Sequence, residues 1–406
     1  MNPWPVISAA LRRYCWTAVA FTFLVAAGVS LAVALVSQER ALRTGSARAA
    51  DRFDLIVAAP GSQTDLLLSA VFLRPGAPKL LPSSVTARLL NEPSARFVAP
   101  LGFGDNHRGA PIVGTTAAFV AHLSNGLAKG RVFEKRSEAV VGAAVPLNID
   151  TTFRPAHGVH EHAGDEDSAR VELHGAMLTV VGQMKPTGSP WDRAIAVPVE
   201  LVWELHSLPD GHPKGTEAIG PPFDPERTPG IPAAMVHPDT VASAYRLRSA
   251  YTTTESMAFF PAEALRSLYS VLGDVRRLMS LLAVVTQALV LLAIIASVLI
   301  LFRLLSPKFV TLRALGAPRR YIFGVAWGFT AVLVTAGTLT GLAGGYGLSF
   351  AISWWLARET GIALAPSLGW PEIALAASVL ALGLILALLP AWLMQREQLA
   401  TALNEH

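Results

Sequence analysis

The sequence predicts a membrane α-helical protein with four transmembrane helices and an α+β periplasmic domain inserted between helices 1 and 2. Two observations predict this fold class. The 406 residues are 52% hydrophobic and only 15% charged, whereas soluble chains are about one-quarter charged. In addition, four long apolar runs contain no ionisable residue, and one long polar segment separates the first run from the other three.

Each apolar run is long enough to cross a bilayer core of about 30 Å as a helix. The predicted spans are residues 15–36, 279–302, 321–350 and 373–394. The first run is longer than the apolar core of a signal peptide, so we expect an uncleaved anchor.

Lys and Arg residues mark the cytoplasmic side of a membrane protein. Outside the long polar segment, most of them occur in residues 1–14, 303–320 and 395–406, which we therefore predict to be the cytoplasmic N-terminus, loop and tail. Residues 37–278 and the short loop 351–372 are then periplasmic, and the four spans lie in a bacterial inner membrane. The basic surplus lies in the membrane part, so nothing in the charge pattern favours nucleic-acid binding.

The periplasmic segment reads as mixed α and β, with an irregular Pro- and Gly-rich excursion over residues 208–232. Short β-branched or apolar runs predict strands at residues 53–58, 139–141, 177–181, 194–199 and 233–236. Helices are predicted at residues 83–91 and 115–127. At its two edges, residues 37–52 and 261–279 are expected to be helical stalks that continue spans one and two.

Spans without ionisable residues disfavour an ion channel or a secondary transporter, because polar conduits place acids, bases or His inside the bundle. No Gly-x-x-x-x-Gly-Lys-Ser/Thr phosphate loop occurs either. We therefore expect no enzymatic activity and no cofactor in this chain. Span three carries three Gly-x-x-x-Gly pairs, which predict close helix packing within the protomer or in a dimer. The glycines are Gly324, Gly328, Gly337, Gly341 and Gly345.

The stretch outside the membrane that is richest in potential metal ligands contains His157, His160 and His162, followed by His174. Imidazoles are good ligands for Zn²⁺ and similar divalent metals, and the neighbouring carboxylates could orient the rings. The spacing matches no closed structural site, so a solvated polar loop that binds nothing remains the alternative. His107, His206, His212 and His237 are scattered along the chain and read as ordinary surface or satisfied residues.

The order of one span, a large outer domain and three further spans resembles the MacB/FtsX-like, type VII permeases of ABC transporters, which include the lipoprotein-releasing permeases. Residues 310–323 resemble the R-A-[IL]-G-A-x-R-R-x-I signature of that family, and residues 390–403 its Pro-Ala tail. The outer domain is similar to a subgroup associated with metal or metallophore handling, in stretches 54–62, 99–106, 112–116 and 188–193.

The resemblance implies a permease subunit that transmits ATPase-driven motion to its periplasmic domain, without substrate passing through the spans. It implies a homodimer or a pairing with a paralogue, bound to cytoplasmic ABC ATPase subunits that carry ATP and Mg²⁺. A periplasmic binding or adaptor protein is a further implied partner. Three alternatives stay open: a non-transporting FtsX-type regulator of a periplasmic partner, a lipoprotein- or efflux-type mechanotransmission permease, and a membrane-anchored metal-binding module.

In this reading the basic loop contains a coupling helix that starts at Pro307 and ends at residues 316–318. The apolar side chains of this helix would enter a groove of the ATPase subunit. Its basic side chains would pair with acidic residues at the rim of that groove. The residues predicted for coupling are Lys308, Phe309, Leu312, Arg313, Leu315 and Gly316. An ordinary basic loop that only sets topology is the alternative.

Overall fold

The chain divides into two compact units in a computed structural model. A membrane unit comprises Met1–Leu42, Gly273–Trp355 and Ala365–His406, and an outer unit comprises Arg43–Leu272 and Leu356–Leu364. The structure describes residues 2–157, 172–173, 176–271, 273, 277–278, 281–282, 284–292, 294–296, 299, 312 and 316–388. The outer unit thus includes a short segment from the predicted loop 351–372.

Among the described residues, five helices lie wholly or mainly in the membrane unit. They are α1 (Trp4–Arg13), α2 (Cys15–Ala50), α9 (Val284–Ala296), α10 (Arg319–Thr360) and α11 (Trp370–Leu386). Of the described residues, those of α2 and α10 form helices of 36 and 42 residues that are long and apolar enough to cross a membrane. The shorter apolar helices α9 and α11 fall within predicted spans two and four. Two of the four predicted spans are thereby supported.

Helix α1 was not predicted, because its ten residues carry no long apolar run. Its basic last turn, Arg12 and Arg13, complements the helix dipole. Ile7 on its apolar face is buried in the cluster formed by the membrane helices, where its Cδ1 would lie 2.8 Å from a Cβ at Gly328. The N-terminal residues therefore pack beside the start of α10.

The outer unit is built on a sheet with the helices α3 (Gln63–Ala70), α4 (Ser83–Leu90), α5 (Ala117–Ser124), α6 (Val199–Leu205), α7 (Val241–Ala250) and α8 (Pro261–Val271). Its strands are β1 (Leu55–Ala58), β2 (Ala95–His107), β3 (Ala110–Thr115), β4 (Leu127–Gly130), β5 (Glu138–Val141), β6 (Thr152–Phe153), β7 (Ala156–His157), β8 (Glu172–Leu173), β9 (Leu178–Met184), β10 (Ile195–Pro198), β11 (Ala233–Pro238) and β12 (Met257–Phe259).

The main path of the sheet has the strand order β12-β1-β11-β2-β3-β10-β5-β9-β4. Pairs β3–β10 and β5–β9 are parallel, and the other pairs are antiparallel. Strands β1, β5 and β10 are buried along their whole length, which explains why they read as continuous apolar runs. All five predicted strands and both predicted helices of this domain are confirmed.

The irregular excursion over residues 208–232 is held by a buried carboxyl group and by an ion pair. Glu200 is buried and accepts hydrogen bonds from the Gly220 N–H at 2.6 Å and from His212 Nε2 at 3.2 Å. Burial raises the pKa of Glu200. Asp210 pairs with Arg136 at 2.9 Å, which attaches the start of the excursion to the segment before β5. These contacts attach the excursion to α6 and to the segment before β5.

Candidate functional site

Three of the predicted packing glycines bring α10 against α2. A Cβ at Gly337 would lie 2.8 Å from Val25 Cβ, one at Gly341 2.7 Å from Val29 Cβ, and one at Gly345 2.8 Å from Val33 Cβ. Carbon atoms in contact are best about 3.5–4.0 Å apart, so only glycine permits this approach. The three valines recur every fourth residue, as the glycines do. The two stripes therefore form one continuous helix–helix interface.

The register of this interface shows that α2 and α10 run in the same direction, since residue numbers rise together along both helices. The interface continues to Gln38, whose Nε2 donates to the Ser349 carbonyl at 2.6 Å and to Ser353 Oγ at 3.0 Å. The amide is therefore satisfied inside the helix pair.

Helices α9 and α11 also run parallel to each other. Gln287 Nε2 donates to Ser378 Oγ at 2.8 Å, and Ile294 would lie 3.4 Å from a Cβ at Gly383. Helix α11 is antiparallel to α10. Its start pairs through Glu372 with Arg40 of α2, two residues beyond the Gln38 that bonds Ser353 of α10, whereas Leu384 near its end accepts a hydrogen bond from Trp327 Nε1 near the start of α10 at 3.2 Å. A bundle with these directions follows if spans one and three lead outward and spans two and four lead inward.

Gly324 does not take part in this interface. Among the described residues, nothing lies within 4 Å of a Cβ built at this position, whereas Gly328 meets Ile7 of α1. Packing by glycine is therefore concentrated in the second half of the predicted span.

The end of the predicted coupling helix is described at Leu312 and Gly316. Leu312 is helical, Gly316 has φ +90°, and the Ala317 N–H donates to the Leu312 carbonyl at 3.0 Å. This bond has the spacing of the long bond of a Schellman motif, in which a left-handed glycine ends a helix. Leu312 is half-buried against the apolar cluster of the membrane helices, so it attaches this segment to the bundle. Lys308, Phe309, Arg313 and Leu315 lie outside the described residues.

Helix α10 does not end at the predicted limit of span three. It continues beyond Phe350 to Thr360, and its last residues belong to the outer unit. Gly361, at φ +73°, terminates the helix, with its N–H bonded to the Ala357 carbonyl at 2.9 Å. The predicted loop 351–372 is therefore helical in its first half.

The C-terminal end of α10 is hydrogen-bonded to Gly188–Arg193 of the outer unit, a segment that we call the clamp. Arg193 Nη1 donates to the last carbonyls of α10, 2.8 Å to Arg358 and 3.0 Å to Glu359. A cation at a helix C-terminus also complements the helix dipole. The Gly188 carbonyl accepts from the Ala363 N–H at 3.0 Å. Helix end and clamp are thus joined by backbone and side-chain bonds.

The clamp itself is rigid. Asp192 accepts hydrogen bonds from the Thr187 N–H at 2.7 Å and from the Gly188 N–H at 2.9 Å. Trp191 is completely buried, and its ring lies edge-on to that of Phe119 with centroids 5.3 Å apart. Stretch 188–193 is one of those on which the sequence resemblance rests, and the structure places it against the end of α10.

A buried ion pair in the membrane unit was missed from the sequence. Glu372 in the first turn of α11 is fully buried, and its carboxylate pairs with Arg40 of α2 at 2.8 Å. It also accepts from the Gly369 N–H at 2.9 Å, and Arg40 donates to the Ser367 carbonyl. A Cβ at Gly369 would collide with the guanidinium. An Arg just beyond one span and a Glu just before another are the available sequence signal.

The predicted histidine site lies almost wholly outside the described residues. The backbone of His157 ends β7, where it pairs with Asp105 of β2 and Glu172 of β8. His160, His162 and His174 belong to the part of the chain that the structure does not describe. The predicted metal binding of this loop therefore stays a prediction.

Comparison with known proteins identifies the C-terminal part of the chain. Residues 280–399 match the family described as FtsX-like permease C-terminal. A comparison with curated proteins gave no match. Among solved structures, the extracellular domain of the noncanonic ABC-type transporter YknZ from Gram-positive bacteria is 11% identical, with 51% of this chain and 98% of that chain covered and a TM-score of 0.25. A likeness with this TM-score carries no conclusion about the outer unit.

The family match confirms the resemblance predicted from residues 310–323, which lie inside the matched range. It covers the basic segment, α10 and α11. Residues 280–399 are therefore similar to the C-terminal domain of FtsX-like permeases.

Proposed function

We propose that the chain is the permease subunit of an inner-membrane ABC transporter and transmits ATPase-driven motion to its periplasmic domain. The observation that carries this proposal is the continuity of α10. This helix begins three residues after the Gly316 turn and ends in the clamp of the outer unit without interruption. A movement applied at the basic segment is therefore conveyed by one rigid element.

Helix α2 supports the same role. It runs from the membrane unit into the outer unit as one helix, and it is locked to α10 by the glycine interface. The two helices would thus move as a pair. Close packing of this kind resists sliding, because interdigitated side chains have no intermediate positions to occupy.

The helix directions support the proposed topology. Parallel α2 and α10 are required if both lead from the cytoplasm to the periplasm, and antiparallel α11 is required if it returns. Both termini and the basic segment then face the cytoplasm, where an ATPase subunit is available. ATP and Mg²⁺ would bind that partner.

The test is whether an ATPase binds at the basic segment. The tagged full-length chain would be purified from its native membranes, and ABC ATPases would be sought by mass spectrometry and by Mg²⁺-ATP hydrolysis. We expect an ATPase to copurify and to be lost in Leu315→Asp. Gly347→Ala on α10, which meets nothing within 4 Å among the described residues, is the control. Failure of any ATPase to copurify, or equal recovery with Leu315→Asp, would contradict the proposal.

The family resemblance further leads us to propose a metal or a metallophore as cargo. Stimulation of ATP hydrolysis by added cargo in the reconstituted complex separates this role from FtsX-type regulation of a periplasmic partner. A transporter is expected to respond to its cargo alone, and a regulator only to its partner protein.

A further inference from the structure

Three residues that are far apart in the sequence converge in the outer unit. Asp54 Oδ2 lies 2.6 Å from His237 Nδ1 and 3.8 Å from His122 Nε2. One ligand atom from each of the three residues lies within 4.8 Å of the others. We call these residues the Asp54 cluster.

Strand register explains the convergence. Leu55 of β1 pairs with Val236 of β11, so the next antiparallel pair brings Asp54 beside His237. His237 in turn pairs with Phe97 of β2, which places Asp54, His237 and Phe97 in one row across the sheet. Residues in one row point to the same face of a sheet. Helix α5 supplies His122 from its last turn.

The two imidazoles are held in place by an aromatic ring. Phe97 lies with its centroid 5.4 Å from the His122 ring and 5.2 Å from the His237 ring, and the two imidazole centroids are 4.6 Å apart. In the structure His122 Nε2 donates to the Arg52 carbonyl at 3.1 Å. An ion bound through Nε2 would replace this hydrogen bond, whereas the ring contacts with Phe97 would keep both imidazoles oriented.

The spacing suits a first-row divalent metal. Two ligands of a tetrahedral Zn²⁺, each about 2.0–2.1 Å from the ion, lie about 3.4 Å apart. The Asp54 oxygen lies 2.6 and 3.8 Å from the two imidazole nitrogens, and no two ligand atoms are more than 4.8 Å apart, so side-chain rotations would bring all three to this spacing. The side chains are 20%, 22% and 37% exposed for His122, His237 and Asp54, which leaves an entry path and room for water ligands.

The ligand types suit a divalent cation. Neutral imidazoles bind metals, and the carboxylate of Asp54 supplies negative charge.

We infer that Asp54, His122 and His237 form an exchangeable binding site for a divalent transition metal such as Zn²⁺. Two histidines and one carboxylate leave coordination positions for water or a delivered ligand, as in sites that exchange their contents. Asp54 follows the last residue of α2 by only four positions, so an ion would fix the junction between that helix and the sheet. The site does not depend on the proposed ATPase coupling and is separate from the predicted histidine loop.

The experiment uses the full-length protein in nanodiscs, with His157, His160, His162 and His174 replaced by Ala so that the loop cannot compete. Co²⁺ is titrated and followed through its visible absorption, and Zn²⁺ is then added as a competitor. We expect one Co²⁺ per protomer, displaced by Zn²⁺. Asp54→Asn and His237→Gln should weaken binding at least tenfold, since loss of even a supporting contact costs 10–100-fold in metal affinity.

Two further variants separate metal binding from folding. His107→Gln, a histidine outside the cluster, should bind Co²⁺ like the parent protein. His122→Cys should bind Co²⁺ with a new near-ultraviolet sulfur-to-cobalt band, because the thiolate would be a direct ligand. Unchanged Co²⁺ binding in Asp54→Asn, or the absence of the sulfur band in a folded His122→Cys protein, would overturn the inference. The first result would mean that the ion binds elsewhere. The second would leave the cluster as hydrogen-bonded side chains only.

Discussion

Replacing Gly341 by Ala tests the α2–α10 interface most directly. The added Cβ would lie 2.7 Å from both the Ala26 carbonyl oxygen and Val29 Cβ. Relief to normal contact distance requires the helices to separate by about 1 Å. Overpacking of this size costs about 2 kcal/mol, and the higher helix propensity of Ala returns about 1 kcal/mol. We therefore expect a net loss of about 1 kcal/mol in the free energy of unfolding.

Gly324→Ala is the matched control, because it makes the same change on the same helix. Nothing lies within 4 Å of its Cβ position among the described residues, so only the propensity gain of about 1 kcal/mol remains. The two variants should differ by about 2 kcal/mol, or about 30-fold in the unfolding equilibrium.

The assay is reversible unfolding of the full-length protein in mixed micelles with increasing SDS, followed by tryptophan fluorescence. Gly341→Ala should unfold at lower SDS than wild type, and Gly324→Ala at higher SDS. Equal shifts in the same direction would refute the reasoning, because they would show that the glycine contacts do not determine the stability of the helix pair.

Three further predictions concern charged contacts. Arg193→Gln removes the charged hydrogen bonds to the end of α10, whose contribution to stability is about 1 kcal/mol at this exposed site. Amide hydrogen exchange over residues 361–364 should therefore become about fivefold faster. Unchanged exchange would show that the clamp does not hold the helix. Glu372→Gln should destabilise the membrane unit by about 2 kcal/mol in SDS unfolding, below the 3–5 kcal/mol of fully buried pairs because its partner is 28% exposed. Hydrogen bonds from Arg131 hold the pKa of Glu138 at about 2 against 4.5, so wild-type stability should fall as pH drops from 4.5 towards 2. Glu138→Gln should flatten that dependence in thermal melts, and an equal slope in both proteins would contradict the assignment.

The strands of the outer unit could be predicted because burial on both faces leaves an uninterrupted apolar signal. Leu55–Ala58 and Ile195–Pro198 show this pattern clearly. Short polar strands such as Leu127–Gly130 carry no such signal, since their side chains face solvent and their position is set by pairing with β9.

The length of α10 could not be predicted from hydropathy. A fall in hydropathy after Phe350 marks the edge of an apolar environment, but it does not mark the end of a helix. Residues 351–360 contain neither Gly nor Pro, so the backbone continues until Gly361 supplies the left-handed conformation that ends it. The positions of Gly and Pro, unlike hydropathy, predict that the helix ends at Gly361.

The two histidine sets illustrate different limits of sequence reading. His157, His160 and His162 stand out because they are close together in the sequence. Closeness in the sequence does not by itself place ligands around a metal. The Asp54 cluster gave no local signal, because its members lie on β11, on α5 and before β1. Only the register of β1 with β11 brings Asp54 and His237 together. Sites of this kind follow from strand pairing, which one sequence does not reveal.

The unbroken course of α10 has a mechanical consequence. At 1.5 Å per residue, its 42 residues form a rod about 63 Å long, roughly twice the thickness of a bilayer core. Tilting such a rod by about 5° about its first turn displaces its far end by about 5 Å. A displacement that is small near Arg319 is thereby enlarged near Thr360, so the length of the helix sets how far its end moves when the helix tilts.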